Sequence, residues 1–247
     1  MTQFNYKYRY LAQITIEATT PLQIGSGTKG IKTDSLVIRD VNGLPIIPGT
    51  TLAGLIAHAL GQEKENLMGN QKEGSRLIVT EGKLLDKHGK VIDGIIELPS
   101  LDDENQAFLH NYERLPIRQH VCIGHKGVTK DTGKFDEEVV LKGSRFVFEL
   151  ELISQKDESK EFDALLAILQ SPAFRIGSGT RSGYGEIKVV DYRYCYLDLS
   201  DDNERKLFLE KSSRLGSPWD GWKDGSDKLK KRRFLQRMDI LSVSPKA

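Results

Sequence analysis

Two copies of one glycine-rich pentapeptide are the part of this sequence best suited to chemistry. Ile-Gly-Ser-Gly-Thr occurs at 24–28 and again at 176–180, followed by Lys29 in the first copy and by Arg181 in the second. Glycines let a backbone lie flush against a ligand, and consecutive N–H groups form a concave anion site to which a cation adds charge. Neither copy is a Walker A motif or a spaced G-x-G-x-x-G fingerprint, so a phosphate backbone is favoured over a nucleotide cofactor. Two tight turns after strands are the alternative.

Length, charge and cysteine content exclude several classes of protein. The 247 residues, 38% hydrophobic and 29% charged, suffice for one large domain or two small ones. Because the net charge is only +1, any basic surface must be local. Cys122 and Cys195 are too few for a disulfide framework or a zinc finger and fit a reducing cytosol. Without a signal region or a membrane-spanning apolar run, a soluble cytoplasmic protein is expected.

Hydrophobic periodicity predicts an α+β fold around these loops. Strands are predicted at 10–19, 34–40, 77–85, 91–98, 145–153 and 185–196. Helices are predicted from a cap at Thr50 or Thr51 to Gly61, and along the apolar stripe from Phe162 to Leu169. The segment 100–112 has weaker helical character, and 62–75 is predicted to be a loop. Strand, helix, strands, helix, strand is the order of a ferredoxin-type sandwich.

The stretch 114–142 fits no simple element. Its ends have an extended pattern, and its middle, 124–133, is glycine-rich and basic, so we interpret it as a long projecting hairpin. We find no partner arrangement that would make His120 or His125 a general base. These histidines and Cys122 could form a metal site, but chance proximity of the three residues in the sequence is the favoured interpretation.

Charged clusters in two regions have a structural and a functional interpretation. The acidic run Asp136-Glu137-Glu138 could bind metal, but an ion pair with Arg118 at the base of the hairpin is favoured. Beyond residue 200 a helix is predicted at 201–213, followed by two tryptophans and the basic run 228–233. Such a run near tryptophans fits RNA contact through charge and stacking, and a solvated helix face is the alternative.

Three segments, in order along the chain, resemble the RAMP proteins of type III CRISPR effector complexes. They are DSLVIRD at 34–40 with GLPIIPGTTLAG at 43–54, RQHV at 118–121 through KFDEE at 134–138, and IGSGTRSGYG at 176–185. The resemblance runs from about Leu11 to Val190 and is strongest to the backbone subunit that coats the guide RNA.

This resemblance implies a modified ferredoxin-like (RRM) core in residues 1–200, with glycine-rich loops and an inserted thumb hairpin at about 115–141. Residues 201–247 would be a partly helical, basic C-terminal extension. Copies of the chain would stack along a CRISPR RNA with other subunits of the complex. The thumb hairpin would intercalate into the duplex formed with complementary target RNA. No membrane is implied.

The resemblance also assigns site residues. In the catalytic members an aspartate opens the Asp-Ser-x-Val-Ile-x-Asp motif and cleaves target RNA, and here that residue is Asp34. A carboxylate can take the proton of the 2′-hydroxyl or anchor a divalent cation, and a lone carboxylate would hold Mg²⁺ or Mn²⁺ only weakly. RNA contacts are expected at Gly25, Ser26, Gly27, Thr28, Lys29, Lys32, Arg118, His120, His125, Lys126, Lys130, Gly177, Ser178, Gly179, Thr180, Arg181, Ser182 and Tyr184.

Three functions remain open from the sequence. The first is a subunit that cuts target RNA at Asp34, and the second is a RAMP scaffold that only coats the guide. The second would suit an Asp34 that merely bonds to backbone, as most loop aspartates do. The third, a guide-processing nuclease, would need a histidine acid–base site, and no histidine lies near either glycine loop in the sequence.

Overall fold

A central antiparallel sheet organises the chain. The computed structural model describes residues 6–30, 33–61, 64–70, 73–97, 101–123, 129–226 and 229. The elements are β1 (Tyr8–Ala18), α1 (Gly49–Leu60), α2 (Lys64–Met68), β2 (Leu77–Val79), β3 (Lys83–Leu84), α3 (Asp103–Glu113), β4 (Ile117–Ile123), β5 (Thr129–Glu138), β6 (Arg145–Ser154), α4 (Ser159–Leu169), β7 (Ile187–Asp198), α5 (Asp202–Leu209) and β8 (Lys223–Asp224). The sheet has the strand order β2-β6-β1-β7-β8, and β3 also pairs with β6. This confirms the predicted α+β class, and the order agrees with a ferredoxin-like arrangement.

Strand β1 is buried on both faces because each face of the sheet is covered. Its even-numbered residues from Tyr10 to Ala18 enter the main core with apolar side chains of α1 and α4. On the other face Leu11 packs with Cys195 and Leu197 beneath Leu207, Phe208, Trp219 and Trp222. Pairing of β1 with β6 runs from Tyr8↔Ser154 to Glu17↔Arg145, so α4 begins at the end of the sheet opposite the loop that follows Ala18.

The part of the predicted extension that the structure describes packs on the sheet. Helix α5 begins after Asp201, whose carboxylate accepts from the N–H groups of Asn203 and Glu204, and β8 pairs with β7. Of the basic run 228–233, only Leu229 is among the described residues. The boundary predicted at residue 200 stays a prediction. No helix in the described ranges has the length and apolar character to cross a bilayer.

Several predicted elements differ in their bounds. Helix α1 begins at Gly49 with Pro48 as its N-cap and no side-chain cap. The caps predicted at Thr50 or Thr51 are therefore wrong, because both threonines lie inside the first turn of the helix. The predicted loop 62–75 contains α2. The predicted strand at 34–40 is replaced by isolated bridges, and in the described part of the one predicted at 91–98, which ends at residue 97, only Val91 forms a bridge, with Leu85.

The predicted hairpin is present as a separate two-stranded sheet. Strands β4 and β5 pair antiparallel from Ile117↔Glu138 to Ile123↔Thr129, with a register shift after Val121. Its tip, 124–128, lies outside the described residues.

Candidate nucleic-acid interface

The first glycine loop (24–30) pairs with the segment that follows it. The Ser26 N–H donates to the Leu36 carbonyl at 2.8 Å, and the Ile38 N–H donates to that of Ile24 at 2.9 Å. The hydroxyls of Ser26 and Thr28 are 2.7 Å apart. Lys29 is exposed, and no described residue forms an ion pair with it. The loop therefore presents small polar groups and one available cation.

The second glycine loop (176–185) is a tight, exposed turn. Gly179 has a φ of +68° and precedes a 3₁₀ turn at Thr180–Ser182. The Ser182 N–H donates to the Gly179 carbonyl at 2.8 Å. Arg181 projects from the turn into solvent, without an ionic partner in the part of the chain that is described.

Gln23 joins the two glycine loops. Its backbone carbonyl accepts the Ser178 N–H at 2.8 Å, and its side-chain oxygen accepts the Ser178 hydroxyl at 2.5 Å. The backbones meet so closely that a Cβ on Gly177 would lie 2.1 Å from the Gln23 carbonyl oxygen. Our sequence reasoning missed Gln23. The one available signal was a glutamine between Leu22 and Ile24, immediately before a pentapeptide.

Asp34 lies at the edge of the hairpin. Its N–H donates to the Asp136 carbonyl at 3.0 Å, and its Oδ2 accepts the Asp136 N–H at 3.1 Å. The next residue, Ser35, forms a parallel bridge with Glu137. The Asp34 carboxylate is exposed, so a backbone bond fixes one oxygen while the group stays open to solvent.

The acidic run in β5 pairs with a different arginine from the one predicted. Glu138 binds Arg39 at 2.7 Å and also accepts the Val37 N–H at 2.9 Å. Arg118 is exposed, and none of the described acidic side chains pairs with it. The predicted pair with Arg118 is therefore wrong, because the DSLVIRD segment lies alongside β5 and supplies its own guanidinium. Arg118 is left available to a ligand.

His120 contacts the second glycine loop, which corrects two expectations. Its ring stacks on Phe135 with centroids 4.9 Å apart. Its Nε2 lies 3.4 Å from the Tyr184 hydroxyl and 3.5 Å from a Glu137 carboxylate oxygen. A histidine does therefore lie beside a glycine loop and has partners. The sequence did not show this contact, because His120 and Tyr184 are 64 positions apart and meet only when the hairpin lies against the second glycine loop.

The remaining predicted residues are not placed. Lys32, His125 and Lys126 lie outside the described residues, and of Cys122 and Lys130 only the backbone is described. Within the described ranges no cluster of three or more metal-ligating side chains occurs.

The fold resembles that of solved type III-B subunits. A chain of the Cmr-beta complex bound to cognate target RNA superposes with a TM-score of 0.52 at 15% identity, over 76% of this chain and 61% of that one. This chain thus spans under two thirds of that subunit. A chain of the apo Cmr-beta complex gives 0.53 at 17% identity, over 73% of this chain and 96% of that one.

Sequence comparison identifies the family. The CRISPR system Cms endoribonuclease Csm3 of Methanocaldococcus jannaschii is 30% identical over 249 residues, covering 90% of this chain and 98% of the relative. The model of the RAMP superfamily matches residues 15–188, a range that includes both glycine loops, Asp34 and the hairpin. The chain belongs to the RAMP superfamily.

Proposed function

We propose that this chain is a backbone subunit of a type III CRISPR effector complex in the cytoplasm, and that it cleaves target RNA at Asp34. The observation that carries this is the convergence of both glycine loops and the hairpin base on the segment that holds Asp34. The likeness to a relative named an endoribonuclease supports the nuclease role. The partners would be a CRISPR RNA, complementary target RNA, further copies of this chain and other subunits.

The glycine loops would hold the guide backbone. Lys29, Arg118 and Arg181 are exposed cations that no described side chain neutralises. Around them the loops present hydroxyls and backbone N–H groups, which suit phosphate oxygens. A chain with a net charge of +1 would gain affinity from many copies acting along one guide.

The hairpin would serve as the thumb. Ile117 and Val121 lie on one face of β4, and each is 48% exposed. Apolar side chains that the protein itself leaves uncovered fit contact with unstacked bases in a guide–target duplex. Asp34 lies at the base of this projection, where the target backbone would pass.

Cleavage would begin at the Asp34 carboxylate. The oxygen not bound to the Asp136 N–H takes the proton of a target 2′-hydroxyl, whose oxygen attacks the adjacent phosphorus. A 2′,3′-cyclic phosphate forms, and the 5′-oxygen leaves with a proton from solvent. Lys29 can offset the charge that develops on the phosphate.

A weakly held divalent cation would suit this site. The oxygen donor present is the exposed Asp34 carboxylate, of which one oxygen accepts the Asp136 N–H. Oxygen ligands suit Mg²⁺ and Mn²⁺, and a single carboxylate leaves most coordination positions to RNA phosphate and water. Such an ion, when bound, would stabilise negative charge on the reacting phosphate.

A scaffold that does not cut is the second candidate, because the bond between Asp34 and the Asp136 backbone gives Asp34 a structural role by itself. The assembled complex should be incubated with labelled complementary RNA, with and without divalent metal. Evenly spaced products indicate cutting, and intact RNA indicates coating alone. A parallel reaction with a repeat-hairpin guide precursor tests the guide-processing alternative, for which His120 now supplies a histidine near a glycine loop.

Arg181→Glu should weaken guide binding at least about tenfold at moderate salt, because it places a negative charge against phosphate. The slope of log K against log salt concentration should also become shallower by roughly one. Filter binding over a salt series measures both. Lys160→Glu is the matched control, since Lys160 is exposed in the first turn of α4, at the opposite end of the sheet. Equal affinities for the two variants would remove the second glycine loop from the interface.

Deleting residues 124–133 should leave a folded protein that binds guide but cuts target poorly. The deletion removes the tip, 124–128, with the first five residues of β5, 129–133, and leaves the hairpin base with its contacts to Asp34 and Tyr184. Thermal melting and target cleavage by the assembled complex measure the two effects. A melting temperature far below that of the parent chain would mean that the deleted segment belongs to the core.

A further inference from the structure

We infer that Gln23 is a positioning residue that couples the guide-binding second glycine loop to the segment carrying Asp34. This inference rests on the proposed function. Gln23 is only 3% exposed, so RNA lying on the surface of the loops would not reach its side chain. Its influence would therefore pass through the residues to which it is bonded.

The side chain of Gln23 is bonded at both ends. Its Nε2 donates to the Ser35 hydroxyl at 2.6 Å, and its Oε1 accepts the Ser178 hydroxyl at 2.5 Å. The Gln23 carbonyl accepts the Ser178 N–H as well. One buried residue thus holds the second glycine loop through two bonds and the residue after Asp34 through a third.

The contact with Ser35 determines where Asp34 lies. The Ser35 carbonyl accepts the Glu138 N–H at 3.0 Å, and the Ser35 N–H donates to the Asp136 carbonyl at 3.3 Å. Gly25 leaves room for this arrangement, since a Cβ there would lie 3.3 Å from the Ser35 hydroxyl oxygen. Fixing Ser35 between Gln23 and β5 fixes the backbone from which the Asp34 carboxylate projects.

Hydrogen bonds therefore connect the loop that would hold a guide phosphate to the Asp34 segment, through Ser178, Gln23 and Ser35. A guide seated on the second glycine loop orders Ser178, and Gln23 transmits that position to Ser35. A buried amide with both ends satisfied resists displacement, because moving either partner strands a polar group. Small displacements of a reacting group reduce rates steeply, so the link should act on the cleavage rate and not on affinity.

The test uses the guide-loaded complex with Gln23→Met, which keeps the length of the side chain and removes both of its bonds. The single-turnover cleavage rate at saturating target should fall roughly 10- to 100-fold, with unchanged guide occupancy and target Kd. Gln13→Met is the matched control: Gln13 is also buried and its amide donates to Glu149 at 3.1 Å, away from the loops. It should stay within about twofold of the parent.

A double-mutant cycle separates positioning from general damage. If Gln23 acts through Ser35, Ser35→Ala and Gln23→Met together should slow cleavage no more than the stronger single change. If the double variant instead loses the product of the two single-variant rate losses, the inference is overturned. A parental cleavage rate for Gln23→Met, or a loss of target affinity that parallels its loss of rate, would overturn it too. If Gln23→Met fails to assemble, Ser35→Ala and Ser178→Ala test the link from its two ends, and parental rates for both would overturn it.

Asp34→Asn in the same assembly distinguishes failure of the Gln23 inference from failure of the proposed nuclease function. If it abolishes cutting while Gln23→Met cuts at the parental rate, only the link is wrong. If Asp34→Asn itself cuts at the parental rate, the proposed function fails, and the inference that rests on it fails too.

Discussion

Asp34→Asn should give a complex that keeps its guide and captures target RNA but cuts it at least about 100-fold more slowly, the lower range for losing a general base. The amide oxygen can still accept the Asp136 N–H, a bond of 3.1 Å in the parent, so the segment should keep its place. What is lost is the negative charge that takes a proton or anchors a cation. Gel analysis of labelled target RNA measures the cleavage rate, and separate binding assays measure retention of the guide and capture of the target.

Asp40→Asn is the control within the same motif. The Asp40 Oδ1 accepts the N–H groups of Asn42 and Leu44, each at 2.9 Å, and an amide oxygen can do the same. This variant should cut normally. If Asp40→Asn is inactive and Asp34→Asn is not, the assignment of the motif aspartates is wrong. If both cut normally, the nuclease lies elsewhere in the complex and this chain is a scaffold.

The long elements of the core could be predicted from the sequence because their signals are local. Strand β1 alternates and α4 carries an apolar stripe, and the predicted bounds lie within two residues of the structure for β1 and within three for α4. The hairpin was recognisable from its two extended ends. Short strands such as β3, with only two residues, carry no periodicity, since their place is set by pairing with β6.

The contacts that assemble the site could not be predicted, because they join segments distant in the chain. Gln23 meets Ser178 across 155 positions, and His120 meets Tyr184 across 64. Reasoning from neighbours favoured Arg118 as the partner of the acidic run, whereas the true partner of Glu138 is Arg39, 99 positions away. Residue types indicated phosphate binding, but only the fold determines which polar groups remain available to RNA.

Gly177→Ala should be the most damaging single-methyl change in the second glycine loop. Gly177 has a φ of +89°, where a side chain is strained, and its Cβ would lie 2.1 Å from the Gln23 carbonyl oxygen. The two loops would have to separate and lose the bonds between Ser178 and Gln23. Left-handed strain of about 1–2 kcal/mol and overpacking of about 1–3 kcal/mol together predict a loss of roughly 2–5 kcal/mol in unfolding free energy. Guide affinity should fall as well.

Gly183→Ala isolates the close approach from the backbone strain. Gly183 has the same φ of +89°, and a Cβ there would meet nothing within 4 Å. Only the strain of about 1–2 kcal/mol applies to it, so this variant should unfold nearer the parent and retain guide binding. Urea unfolding of the isolated chains and filter binding of guide RNA give the comparison. Equal losses of stability and guide affinity in the two variants would mean that the close approach of Gly177 to the Gln23 backbone contributes nothing beyond the strain of a positive φ.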